Sequence, residues 1–239
     1  MADVEVWIHR GPNVSLDYAE YADDAIEQLD NQLSVNIGST VLGEVPDSVT
    51  NCWDQQDTLM SYEEWVESNY TTYDNEHYML VVQCDMGADI GAGGSAYDVG
   101  ENAARHYFNS QAAVSVINQG VDGFLDSTSV YNGLRGYKAT AIHELCHTLA
   151  DSDIWLDYCS DTSEDHIGDE HACGEVDSNQ ACSPMLFWYS ENSHDLVSNK
   201  NMQTNYVNCS DHGLDGAVKL EVSGCVNEAV EDYVNLVVK

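Results

Sequence analysis

The sequence predicts an α/β fold, with an upper subdomain over residues 1–150 and a smaller, irregular lower one over 151–239, together forming one domain. Three observations predict it. Apolar residues alternate or run in short blocks at four places and follow a helical period at two others, in the order strand–helix–strand–strand–strand–helix. Beyond Ala150 that periodicity stops, and the chain turns polar and rich in cysteine as far as about Ser183. The 239 residues are also enough for one large domain or two small subdomains around a real core.

The elements follow in chain order. Val4-Glu5-Val6-Trp7-Ile8 alternates as a half-buried strand does. From Leu16 to Leu33, the positions Tyr18, Tyr21, Ala22, Ile26, Leu29 and Leu33 recur with a helical period. Ser34–Leu42 and His77–Cys84 read as strands, and the block Tyr78 to Val82 in the second is of the kind buried on both faces. Gly87–Gly100 reads as a glycine-rich loop. It lacks the lysine of a phosphate-binding loop and the spacing of a dinucleotide fingerprint, so no nucleotide site is assigned. Gln111–Gln119 is a further strand candidate, and Leu134 to Ala150 a long helix. The polar stretch after it takes its shape from cross-links. Val218 to Val237 closes the fold as one helix, or a strand and a helix.

Charge narrows the function. Seven Lys and Arg stand against 42 Asp and Glu, a formal net charge of −35. Such a surface repels nucleic acid and anionic membranes, which removes both as partners. The acids are spread over the whole length, not gathered in a tail or a repeated calcium loop. That distribution points to solubility in high salt, where self-repulsion is screened. No apolar run approaches the length of a membrane span. The eight cysteines are widely and irregularly spaced with no CxxC pair, which favours disulfides and an oxidising compartment. Three sequons (Asn13, Asn69 and Asn208) are compatible with export. The N-terminus carries no signal peptide, so secretion implies a leader or propeptide absent from this sequence. A monomer is favoured.

The chemistry concentrates at His143-Glu144-Leu145-Cys146-His147. Residues four apart lie on one helix face, so the two histidines can grip one ion together. Ala141, Ile142, Leu145 and Leu149 form a separate apolar arc that faces the core. Glu144 stands beside the histidines, free to reach water instead of the ion. Two imidazoles, an open coordination position and a base are the set used for zinc-assisted hydrolysis. Cys146, between the apolar arc and His143, reads as a disulfide partner or a small core residue. His9, His77, His106, His194 and His212 read as surface or core histidines. With so many carboxylates, calcium is a further candidate ion.

A catalytic zinc takes a third protein ligand. Here the chain resembles the metzincin metallopeptidases, over most of its length in the order of elements. That family shows HExxHxxGxxH, with Asp as third ligand in the snapalysin type, followed by a methionine turn beneath the metal. The stretch from His143 to Asp153 places Asp153 at the third-ligand position and Ala150 where the family has the glycine that lets the chain leave the helix sharply. A second candidate is His171, which precedes Met185 by 14 residues where Asp153 precedes it by 32. The shorter separation is closer to the family's, and imidazole is the better zinc ligand in a carboxylate-rich medium. His171 is therefore preferred over Asp153, with His166 third, and Met185 is the Met-turn residue. Tyr189 follows Met185 by four residues. In astacin-like and serralysin-like enzymes a tyrosine follows by two, where this chain has Phe187.

The resemblance implies a twisted, mostly parallel sheet over an active-site helix, and a disulfide-linked lower subdomain bearing the third ligand and the Met-turn. It also implies a zinc endopeptidase acting on extended protein or peptide segments, with Glu144 as general base. Two rivals share the motif. One is a non-catalytic binding protein with a structural metal, in which Glu144 has no task; the other is a zinc amidase or deacylase.

Overall fold

The computed structural model describes residues 2–50, 55–84, 94–96, 112–119, 133–149, 220, 222 and 224–235. Among them the elements are β1 (Val4–Arg10), α1 (Leu16–Asp30), β2 (Ile37–Glu44), α2 (Gln55–Asn69), β3 (Glu76–Val82), β4 (Gly94–Ala96), β5 (Ala113–Asn118), α3 (Gly133–Leu149) and α4 (Gly224–Tyr233). A short 3-10 turn, Asp47–Val49, links β2 to α2.

The strands form one sheet in the order β2-β1-β3-β5-β4. β2, β1, β3 and β5 are parallel, and β4 runs antiparallel along β5 at the edge. The mostly parallel sheet that the resemblance implies is therefore present. One expectation is corrected. Within the glycine-rich stretch read as a loop, Gly94–Ala96 is a strand paired with Ser115–Ile117. Gly94 is a poor strand former, but an edge position needs only backbone N–H and C=O groups to complete the ladder. The rest of that stretch lies outside the described residues.

Both faces of the sheet are covered, which is why β3 is buried almost throughout. On one face Val4, Val6, Ile8, Met79, Val81 and Ile117 pack with α1, α3 and α4. On the other, Tyr78, Leu80, Val82, Val114 and Val116 pack with Leu59, Tyr62 and Val66 of α2. α1 meets its face through Ala19, Ala22 and Ala25 beside Ile26 and Leu29. α1 stops at Asp30, three residues short of the apolar period. The Asp30 carboxylate accepts the Ile37 N–H at 2.6 Å, and the Asn31 amide folds back on the Glu27 carbonyl at 2.7 Å. Ser34, expected in the strand, instead donates its N–H to Asn227 Oδ1 on α4 at 2.7 Å. Gln32 bridges to the chain before α4, donating to the Leu220 carbonyl at 2.7 Å and accepting from Val222 N–H at 2.8 Å. The chain leaves β1 through Asn13, whose φ of 67° is a left-handed setting that asparagine tolerates.

His9 is a core histidine, one of the two roles the sequence leaves open for it. Its Nδ1 is 2.8 Å from Tyr62 Oη and its Nε2 2.9 Å from Tyr70 Oη. A neutral imidazole donates to one hydroxyl and accepts from the other. Trp65 stands edge-on at 5.0 Å between ring centroids. Burial lowers the His9 pKa from 6.5 to about 4. Between those values the unfolded chain holds more protons, so this residue's contribution to stability is full above pH 6.5 and falls as the pH drops towards 4. Across that window the loss amounts to about 3 kcal/mol. Denaturation in constant high salt at stepped pH tests this. His9→Gln is expected to flatten the acid limb of the stability curve; an unchanged slope would reject the assignment.

Cys84 is disulfide-bonded. Cys146 is a free thiol buried in the core layer under α3, so the small-core-residue reading holds and the disulfide reading does not. Burial pushes its thiol up to about 12, so it carries no thiolate at neutral pH. The expected disulfide-linked subdomain finds no support, because most of residues 151–239 lie outside the described residues. No helix among the described residues is long and apolar enough to cross a membrane.

Candidate metal centre

α3 carries the motif and is braced along its length. Tyr137 donates its hydroxyl proton to the Tyr18 carbonyl at 2.8 Å, and Lys138 pairs with Asp24 at 3.0 Å, both on α1. Tyr137, Ala141, Ile142, Leu145 and Leu149 are fully buried in the layer against the sheet, the apolar arc the sequence predicts with one tyrosine added. With that side committed to the core, His143 and His147 project from a helix that has little freedom to roll.

The two imidazoles converge. Nε2 of His143 and Nε2 of His147 are 3.0 Å apart, with ring centroids 4.7 Å apart and planes at 79°. Two nitrogens that each stand ~2.0–2.1 Å from one tetrahedral ion are ~3.3 Å apart, so this pair fits a shared metal with a small adjustment. His143 is 4% exposed and Glu144 5%, while His147 is half-buried. Burial pushes the Glu144 carboxyl up to about 7, against the opposing pull of His147. A carboxylate poised near neutrality can both take and release a proton there.

No group of three or more His, Cys, Asp or Glu suited to a metal occurs among the described residues. His171, Asp153, His166, Met185, Phe187 and Tyr189 all lie outside them, as do His106, His194 and His212. The structure thus brings together His143, Glu144 and His147, and the candidates for the third ligand lie outside the described residues. Sequence reasoning passed over Thr148 and set His77 aside. Both are buried, and only the fold brings them together at the last turn of α3. Nothing in their local sequence signals it.

No protein-family model matches the sequence, and no curated protein does. Among solved structures, an archaemetzincin from Methanopyrus kandleri is similar, with a TM-score of 0.49 and 12% identity over 97% of this chain and 96% of that one. A likeness of that size carries no weight for activity, which has to be argued from the helix itself.

Proposed function

We propose that this chain is a zinc-dependent endopeptidase that works outside the cell in high salt. The observation that carries the reading is the 3.0 Å approach of two imidazole nitrogens on a buried helix face, with a buried carboxylate one residue from the first. His143 and His147 would hold the ion, joined by His171 or, failing that, Asp153 or His166. Bound there, zinc supplies Lewis-acid polarisation of the scissile carbonyl and makes water a stronger acid. The chain's own residues do the rest. Glu144 takes the proton of the attacking water at a carboxylate oxygen and delivers it to the leaving amine. Burial around His143 and Glu144 limits bulk water there, which strengthens each charge interaction. Met185 would supply the methionine turn that the resemblance implies, and the dispersed acids would keep the surface hydrated in brine.

The test is zinc content together with hydrolysis of casein or an extended peptide in high salt. One zinc per chain and hydrolysis support the reading. Stoichiometric zinc without hydrolysis of any peptide would favour a binding protein, and hydrolysis confined to small amides a deacylase. The third ligand is tested by single alanine variants. His171→Ala is expected to lose bound zinc, while Asp153→Ala and His166→Ala retain it, as measured by metal analysis after gel filtration. Loss with Asp153→Ala alone reverses the order of preference.

A further inference from the structure

We infer that His77 is a positioning residue for the His143–His147 pair, acting through Thr148; this rests on reading that pair as a zinc site. His77 lies on β3 and is 1% exposed. Its Nδ1 is 2.9 Å from Thr148 Oγ1, and Thr148 Oγ1 is 2.7 Å from the Leu145 carbonyl oxygen. The threonine hydroxyl has one proton and gives it to that carbonyl, so its oxygen is left to accept. His77 Nδ1 therefore carries the proton and donates it. On the other side of the ring, Nε2 is 3.4 Å from Tyr233 Oη on α4, whose single proton is shared between that nitrogen and the Asp74 carbonyl oxygen at 3.2 Å. One imidazole thus ties β3, the last turn of α3 and α4 together.

Thr148 directly follows His147, and Leu145 lies between the two candidate ligands. Side chains reach about 5–6 Å from a helix axis, so a roll of about 10° moves a side-chain tip by about 1 Å. Metal–ligand distances hold to within about 0.2 Å. The apolar contacts of Leu145 and Leu149 resist large rolls but are non-directional and tolerate small ones. The hydrogen bond from His77 to Thr148 is directional, and it sets the last turn at the scale a metal site requires.

The test uses four variants of the full chain in high salt. An asparagine amide stands near the place of Nδ1 and a glutamine amide near that of Nε2, so His77→Asn keeps a donor for Thr148 and His77→Gln does not. Thr148→Ser keeps the acceptor and Thr148→Val removes it. Zinc affinity by chelator competition, the cobalt(II) absorption spectrum and the melting of the metal-free protein are read for each. Thr148→Val and His77→Gln are expected to weaken zinc by about 10–100-fold and shift the cobalt bands, as loss of an outer partner does. Thr148→Ser and His77→Asn are expected to stay within about threefold of the parent, well inside that range. Parental affinity and spectrum in Thr148→Val and His77→Gln would overturn the inference. So would an equal loss in all four that follows the melting of the metal-free protein. Should Thr148→Val not fold, the contrast between His77→Asn and His77→Gln decides. A parent that binds no zinc, or binds it equally after His143→Ala, overturns the zinc reading and this inference with it. Failure of the four variants alone leaves the zinc reading standing.

Discussion

Glu144→Gln is expected to cut peptide hydrolysis by about 10²–10⁴-fold, the usual worth of a positioned general base, while zinc stays bound. The substitution keeps the shape of the side chain and removes its capacity to accept a proton. Because that proton moves only in the transition state, kcat and kcat/KM should fall together, with little change in the binding of substrate. Stability is expected to move the other way. The Glu144 carboxyl is buried, and burial raises it to about 7, so the folded state carries a desolvation cost that a neutral amide does not. Freed of metal, the variant should melt at or above the metal-free parent, the pattern of a residue kept for chemistry at the expense of stability. Turnover at the parent rate with zinc in place would remove Glu144 from the mechanism. Loss of zinc along with activity would mean that it holds the metal, directly or through the histidines.

The sheet and the motif helix were legible because their apolar residues obey a period that the fold respects. β1 alternates between a buried face and a partly covered one, and β3 reads as a block because both its faces are covered. α2 escaped notice. Its core contacts, Leu59, Tyr62 and Val66, have helical spacing, but Trp65, Glu63 and Tyr70 blur the apolar stripe. β4 escaped because three edge residues carry no pattern at all. The ends of α1 and β2 were misplaced because Asp30, Asn31 and Ser34 direct backbone groups to side chains, one of them nearly two hundred residues away. At the site, the convergence of His143 and His147 follows from a four-residue spacing on one helix. The contact of His77 with Thr148 joins β3 to α3 and has no local signature. It depends on how β3 sits in the sheet beneath α3.

Removing salt is expected to unfold the protein. The formal net charge is −35 on 239 residues, and a folded chain of that length has a radius of gyration of about 18 Å. In about 0.01 M salt the Debye length is about 30 Å, so nearly every carboxylate feels the others; in about 1 M it is about 3 Å, and only neighbours count. Two like charges about 25 Å apart in water repel by about 0.2 kcal/mol, and a net charge of this size makes on the order of 600 such pairs. Even after counter-ions and partial protonation relieve most of that sum, the remainder is large beside a total stability of about 5–15 kcal/mol. Local pairing offers little relief. Arg10 with Glu44 and Lys138 with Asp24 are partly exposed ion pairs of the kind that contributes little. Dialysis from molar potassium chloride into dilute buffer with a chelator should therefore abolish the native circular dichroism, and returning salt should restore it. Screening depends on ionic strength and not on the identity of the ion, so sodium and potassium chloride should act alike at equal concentration. Rescue by calcium at low ionic strength would point instead to carboxylate sites that bind the ion. A fold that persists in dilute buffer without divalent ions would leave the acidic surface without its high-salt explanation.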